Sequence, residues 1–278
     1  MFKKRGQLTL FVIVGIVIVI GIVLYFLFNG SIIPEQQKTF NSKANILQSE
    51  IFDCFENVYS NSLMTIGFQG GFYNVSDGAY NGFAIIPYYY KSGELMAPNL
   101  NLVENELATL VKDQITYYCL DYYTEVQASS STLNMNFSGF DLADEDFPRF
   151  NIDYNNLDVN VKIDKGSVSF DVDCDLTVIQ DEKNIILDLS TGSNKLDSDL
   201  YDMFNIASFI VNDLEKNEES ICASCLYDMT KNTDLTVDIA GYNVAQDQIV
   251  VISNDQTSTP FIYQFLIKHS SDIEEIIK

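Results

Sequence analysis

The pattern of hydrophobic and polar positions opens with one long apolar run. Residues 8–28 read LTLFVIVGIVIVIGIVLYFLF and contain no charge and no proline. As an α-helix this run spans roughly 31 Å, about the hydrocarbon core of a bilayer. Lys3, Lys4 and Arg5 precede it, and no basic residue follows until Lys38. The asymmetry predicts a single-pass protein of the cell membrane, with a cytoplasmic N-terminus and an extracellular domain.

Beyond the apolar run, apolar residues recur every three or four positions and predict four amphipathic helices. Gly67, Gly70 and Gly71 end the first of them. Asn101 and Glu104 have the spacing of a capping box and open the second. The predicted helices cover about residues 40–66, 101–126, 198–214 and 221–229.

Strict alternation of apolar and polar residues predicts strands in the second half of the chain. Residues 159–163 alternate, Lys165-Gly166 turns the chain, and residues 168–178 alternate on the return. Further strands are predicted near residues 185–189, 235–239, 249–252 and 261–267. Helices and antiparallel strands in separate blocks predict an α+β fold, with amphipathic helices packed on antiparallel sheet. We divide the chain into a basic leader (1–6), a transmembrane helix (7–30), a helical and hairpin part (31–130) and an α+β part (131–278).

Composition restricts the function. The chain has 39 acidic and 16 Lys and Arg residues, for a net charge of −23. The extracellular part is more negative still, because three of the basic residues precede the apolar run. Such a surface repels nucleic acid, which we exclude as a partner. With one histidine, no tryptophan and no phosphate-binding glycine loop, we expect neither an enzyme nor a cofactor.

The five cysteines are expected in an oxidising compartment, and their odd number leaves at least one unpaired. Cys54 and Cys119 lie on the inward stripes of two predicted helices. We predict a disulfide between them; the alternative is two buried thiols. Cys222 and Cys225 form a CxxC motif. A structural disulfide within this pair, or from one of them to Cys174, is favoured over redox chemistry, because acidic residues precede the motif and raise a thiol pKa.

Other clusters are compatible with binding or with ordinary structure. Asp171, Asp173 and Asp175, with Glu182 eleven residues after the first, have a spacing similar to a calcium loop. Leu176 replaces the glycine of such a loop, so we favour a solvated strand face and predict no metal site. A second acidic cluster either binds calcium or stays solvated; it contains Asp141, Asp144, Glu145 and Asp146. Asn74 and Asn136 are candidate glycan acceptors. An aromatic run forms either core or a binding surface; its members are Phe72, Tyr73, Tyr80, Phe83, Tyr88, Tyr89 and Tyr90.

The segment KRGQLTLF at residues 4–11 resembles the class III signal peptides of archaeal type IV pilins and pilin-like proteins. The resemblance implies that a membrane peptidase cuts between Gly6 and Gln7. The apolar helix then stays on the mature protein as a filament core or an anchor. Phe11 stands at the fifth mature position, where bacterial pilins carry glutamate. The alternative is an uncleaved signal anchor.

A second resemblance covers the residues after Ile51. Cys54, the GFQGGF run at residues 67–72, Ile86-Pro87-Tyr88 and Cys119 resemble a recurring surface protein of small-genome archaea. This resemblance implies no function. It supports only an archaeal source. The signal segment and the uncharged apolar helix predict a pilin-like surface subunit of the minor or accessory kind, whose partners are other pilin-like subunits or a surface protein. The alternative is a monomeric membrane-anchored binding module or adhesin.

Overall fold

The computed structural model describes residues 35–121, 151–180, 183–217, 221–242, 247–254 and 261–269. The predicted membrane span, the Gly6–Gln7 junction, Glu182, the triplet at Asn136 and the acidic cluster of residues 141–146 lie outside these ranges. In the part of the chain that is described, no helix is long and apolar enough to cross a membrane. The chain divides into two compact units, residues 1–47 and 48–278, and the sheets described below belong to the second.

The helical predictions are largely confirmed. A π-helical segment, Ile115–Asp121, directly follows the second helix. The apolar stripes of the first three helices are largely buried, for example Ile51 and Phe55 in the first helix and Met203 and Ile210 in the third. No residue of the fourth helix is buried. The described helices are α1 (Glu35–Phe68), α2 (Leu100–Gln114), α3 (Leu200–Lys216) and α4 (Ala223–Thr230).

The predicted capping pair of α2 is wrong. Asn99, and not Asn101, is the N-cap, and its side chain accepts a hydrogen bond from the backbone N–H of Leu102 at 2.9 Å. Glu104 is only 9% exposed and lies on the inward side of the helix. Its Oε1 accepts hydrogen bonds from the backbone N–H of Ile163 at 2.9 Å and from Nζ of Lys162 at 3.1 Å. Glu104 therefore fixes α2 to the sheet rather than capping the helix.

Ten strands are described, and they confirm the α+β class. β1, β2, β3, β8, β9 and β10 form one sheet, and β4 to β7 form the other. The strands are β1 (Gly78–Tyr80), β2 (Ile85–Lys91), β3 (Glu94–Leu95), β4 (Asn151–Asp164), β5 (Ser167–Gln180), β6 (Lys183–Asp188), β7 (Thr191–Asp197), β8 (Leu235–Gly241), β9 (Asp247–Asn254) and β10 (Phe261–Lys268).

The first sheet has the path β1-β2-β10-β9-β8, with β3 paired to β2. All its pairings are antiparallel except β2 with β10, which is parallel and aligns Tyr88 with Leu266. The sheet is therefore mixed, in contrast to the expected antiparallel one. The parallel pair brings the carboxyl ends of β2 and β10 to the same edge, where Lys91 is the partner of Lys268.

The second sheet is organised around β5. Its predicted hairpin with β4 is confirmed, and Gly166 takes a positive φ of 78° in the turn. The opposite edge of β5 pairs with β6 and then with β7. The inward residues of β5 from Val168 to Val178 are fully buried. The ring of Tyr59 in α1 stacks on the ring of Phe170 at a centroid distance of 4.5 Å, so this part of α1 covers the sheet.

Candidate functional site

The predicted disulfide between Cys54 and Cys119 is confirmed. It joins α1 to the π-helical segment after α2, with the two Cα atoms 5.8 Å apart and Cys119 fully buried. Further along the same two helices, Ser62 donates a hydrogen bond to Oε1 of Gln114 at 3.0 Å. The disulfide and this hydrogen bond hold α1 and α2 side by side.

The GFQGGF run, residues 67–72, forms a close contact between the end of α1 and β10, and we call it the glycine joint. Nε2 of Gln264 donates to the carbonyl oxygen of Phe68 at 2.9 Å. The hydroxyl of Tyr89 donates to the carbonyl oxygen of Gly70 at 2.6 Å. A Cβ added to Gly67 would clash with the carbonyl oxygen of Ile262. The run quoted for the archaeal surface protein is thus a packing contact in this fold.

The aromatic run divides into a buried part and an exposed part. Tyr88, Tyr89 and Tyr90 are buried in β2, as expected for core residues. Tyr80 and Phe83, in and after β1, are 69% and 96% exposed. The buried part is structural, and a binding role for the exposed part stays a prediction.

Two buried tyrosines contribute to the core with their hydroxyls in contact. Tyr89 and Tyr263 form this pair, and the ring of Phe265 stacks on Tyr89 at 4.3 Å. Burial raises the pKa of both tyrosines, and the Tyr263 hydroxyl adds to the rise at Tyr89. Both hydroxyls therefore remain protonated at any physiological pH, which suits structural hydrogen bonding and gives no general base.

A charged cluster lies where β2 and β10 end. The Tyr88 hydroxyl donates to Oδ2 of Asp247 at 2.9 Å, and Nζ of Lys268 is 3.7 Å from Oδ1 of the same carboxylate. Nζ of Lys91 is 2.6 Å from Oδ2 of Asp77 and 4.8 Å from the centroid of the Tyr88 ring. Burial, followed by the Asp247 carboxylate, raises the pKa of Tyr88 to about 12. Each lysine has a carboxylate partner, so the cluster suits a structural ion-pair network.

Asp171, Asp173 and Asp175 form an exposed face of β5, in agreement with the predicted strand face. The alternation continues through Leu176, which is fully buried on the opposite face. Asp173 accepts a hydrogen bond from Oγ of Ser190 at 2.9 Å. Within the described ranges, no three His, Cys, Asp or Glu side chains are grouped closely enough to hold a metal ion.

The remaining cysteines confirm one of the two pairings that the sequence left open. Cys222 and Cys225 form a disulfide with each other, with Cα atoms 5.3 Å apart. Cys174 is a free thiol buried in β5, and its burial, followed by Asp175 and Asp173, raises its pKa to about 11. Such a thiol is unreactive at neutral pH because almost none of it is thiolate.

The surroundings of the Cys222–Cys225 disulfide could not be predicted from the motif. Cys222 is the N-cap of α4, and its Sγ accepts a hydrogen bond from the backbone N–H of Cys225 at 3.3 Å. The backbone N–H of Cys222 donates to Oδ2 of Asp213, near the end of α3, at 2.8 Å. The capping position at the start of α4 favours a lower pKa of the Cys222 thiol in its reduced state, whereas the neighbouring Asp213 carboxylate favours a higher one.

The ring of the single histidine, His269, lies 6.5 Å from the ring of Tyr90. No protein-family model, curated protein or solved structure matches this chain. Function is therefore inferred from the chain's own residues and from the contacts described above.

Proposed function

We propose that this chain is a pilin-like, membrane-anchored subunit of the cell surface, of the minor or accessory kind. The observation that supports it most directly is α1, a continuous helix of 34 residues. It begins a short way along the chain after the predicted apolar helix of residues 8–28. Its later part is joined to the π-helical segment after α2 by the Cys54–Cys119 disulfide. Type IV pilins, which the signal segment resembles, likewise keep an apolar helix in front of a surface domain.

The state of the cysteines supports a location outside the cytoplasm. Four of the five are paired, and the fifth is buried in the core of the second sheet. Disulfides of this kind persist in oxidising compartments and are rare in the cytosol. The net charge of −23 disfavours an anionic partner and suits a solvated surface domain.

A monomeric anchored binding module is the second candidate. It is favoured by two exposed aromatic side chains, Tyr80 at the end of β1 and Phe83 in the turn between β1 and β2. Large aromatic residues at an exposed turn are common contact residues in protein interfaces. In this alternative the apolar helix is only a tether, and the contact of the aromatic turn with another molecule is the activity.

Electron microscopy of sheared surface material, labelled with antibody to the second unit, separates the two candidates. A pilin-like subunit gives labelled filaments, whereas a tethered module gives label on smooth membrane only. The matched variants are Gly6→Phe, which blocks the cleavage that the signal resemblance implies, and Gly15→Ala, a control within the apolar run. We expect labelled filaments from the wild type and Gly15→Ala, and no label on filaments from Gly6→Phe.

Mass spectrometry of the membrane-extracted protein tests the processing step separately. We expect the mature chain to begin at Gln7 in the wild type and in Gly15→Ala. An intact Met1 or a cut after Phe28 in the wild type would contradict the pilin-like proposal. Cleavage between Gly6 and Gln7 without label on filaments would instead favour the anchored module.

A further inference from the structure

The two disulfides lie in different surroundings. Cys54 and Cys119 are 65 positions apart and join two helices, and Cys119 is fully buried. Cys222 and Cys225 are three positions apart and both are partly exposed. Cys222 caps α4 and Cys225 lies in its first turn, and no residue of α4 is buried. A thiol in solution can therefore reach the second disulfide, and its opening requires only a local rearrangement.

Several polar groups favour a negative charge on the sulfur of Cys222. It caps the N-terminus of α4, where the unpaired backbone N–H groups and the helix dipole attract anions. The backbone N–H of Cys225 donates to Sγ of Cys222 at 3.3 Å, and Oγ of Ser224 lies 3.5 Å from the same atom. Donors of this kind stabilise a thiolate and lower the pKa of its thiol. Among the described residues, the opposing group is Asp213, whose Oδ2 accepts the N–H of Cys222. Glu218 and Glu219, which precede the motif in the sequence, oppose the thiolate in the same sense.

We propose that the Cys222–Cys225 disulfide is active in thiol–disulfide exchange, and that it accepts two electrons from a protein dithiol. A partner thiolate attacks Sγ of Cys225, the bond between Cys225 and Cys222 breaks, and Cys222 leaves as the thiolate that the helix terminus stabilises. The second partner thiolate then attacks the partner's own sulfur in the mixed disulfide and releases Cys225 as a thiolate. The partner is oxidised to a disulfide, and the two cysteines of the chain are reduced.

This step follows from general exchange chemistry, in which the thiol with the lower pKa is the better leaving group. The proposal is independent of filament assembly, because it needs only the second unit of the chain. It differs from a purely structural role for the pair, in which Cys222 and Cys225 would be equivalent thiols after reduction.

The first experiment uses the full chain in detergent and a reduced peptide that contains two cysteines. We expect the wild type to convert one equivalent of the peptide to its disulfide form within minutes. A variant with Cys222→Ser and Cys225→Ser should convert at least tenfold less. Peptide mapping should find Cys54–Cys119 still oxidised in both proteins. Equal conversion by the two proteins would overturn the proposal.

The second experiment compares the two cysteines singly, in Cys225→Ser and Cys222→Ser, by their reaction with glutathione disulfide. Lowering the pKa by one unit raises the thiolate fraction about tenfold and reduces its nucleophilicity about threefold, so Cys222 should react about threefold faster than Cys225 at neutral pH. A structural disulfide would give equal rates.

The pH dependence of the same reaction gives a second readout. The midpoint for Cys222 should lie below about 8.5, the ordinary pKa of cysteine. Adding Asp213→Asn should lower the midpoint further, whereas Asp202→Asn, in the first turn of the same helix, should leave it unchanged. A midpoint for Cys222 at or above the ordinary value would overturn the proposal.

Discussion

Gly71 and Gly93 have similar backbone conformations and different surroundings. Their φ angles are 79° and 91°. A Cβ on Gly71 would lie 2.8 Å from the hydroxyl oxygen of Tyr263 and 2.8 Å from Cγ2 of Val103, whereas a Cβ on Gly93 would meet nothing within 4 Å. The glycine joint therefore needs both the conformational freedom and the small size of Gly71, while the turn between β2 and β3 needs only the first.

We expect Gly71→Ala to lower the free energy of unfolding by about 3 kcal/mol and Gly93→Ala by about 1 kcal/mol. Both substitutions introduce the same left-handed strain, so their difference measures the steric clash in the joint. Urea unfolding monitored by circular dichroism gives both values. Equal losses would mean that the contact with Tyr263 and Val103 can relax without cost.

Tyr88 and Tyr154 make the stability of the fold depend on pH in the alkaline range. Burial, followed by a hydrogen bond to a carboxylate, raises the pKa to about 12 for both Tyr88 and Tyr154. Their pKa in the unfolded chain is near the ordinary value of 10, so folding favours the protonated hydroxyl. The stabilisation is fully present below pH 10 and is lost as the pH rises from 10 through 12.

The free energy of unfolding should therefore fall between pH 10 and pH 12, and the Tyr88→Phe variant should show a smaller fall than the wild type. The phenylalanine has no hydroxyl to ionise, which removes one of the contributions. Tyr117→Phe, which changes a tyrosine that is 67% exposed, is the control and should retain the wild-type slope. Denaturant titrations at several pH values test this, and identical slopes for all three proteins would contradict it.

Helices and strands with a regular hydrophobic pattern can be predicted from the sequence. Strands that exist because they pair with a neighbouring strand cannot. The alternation of β5 and the stripe of α3 identify their buried residues, because burial on one face is a local property. β7 reads TGSNKLD, has one clearly apolar side chain, Leu196, and is a strand only because it pairs with β5. The parallel pairing of β2 with β10 was also missed, since no local pattern identifies the partner of a strand.

The candidate sites follow the same division. Cys54 and Cys119 were predicted as a pair because both lie on inward helix stripes, and the structure confirms the pair. The sequence separation of Cys222 and Cys225 identified a motif, but the hydrogen bond from Cys225 and the contact with Asp213 depend on how α4 begins and where α3 ends. The distance between residues of two separate elements depends on the tertiary structure, and no pattern in one sequence predicts it.

The two disulfides should contribute unequally to stability. In the chain-entropy model, a closed loop of about 65 residues stabilises the fold by about 4 kcal/mol and a loop of four residues by about 2 kcal/mol. We therefore expect the double variant Cys54→Ser, Cys119→Ser to lose about twice the unfolding free energy of Cys222→Ser, Cys225→Ser. Urea unfolding of both variants tests this, and a larger loss from the Cys222–Cys225 pair would contradict it.

Over the whole molecule, acidic residues greatly outnumber basic ones, 39 against 16. A net charge of −23 places like charges close together on a folded surface, and the unfolded chain relieves part of that repulsion by expansion. Salt screens the repulsion, because the Debye length falls from about 30 Å at 0.01 M to about 3 Å at 1 M.

The thermal midpoint should therefore rise by several degrees between low and high sodium chloride. Differential scanning calorimetry measures the rise, and a neutral osmolyte at matched osmolality is the control for solvent exclusion. A midpoint that is flat or falls with salt would show that local ion pairs, such as Lys91 with Asp77, outweigh the net repulsion.

The position of β10 has a consequence for how the chain is made. β10 is the middle strand of the first sheet, yet it is the last described strand in chain order, and its residue Leu266 pairs with Tyr88. Contacts between such distant segments give a high contact order, which slows folding. At a synthesis rate of about 5 to 20 residues per second, β2 waits roughly 10 to 40 seconds for its partner. During that interval the apolar side chains of β2 lack their partner strand, so we expect the nascent chain to be more prone to aggregation than one whose paired strands are consecutive.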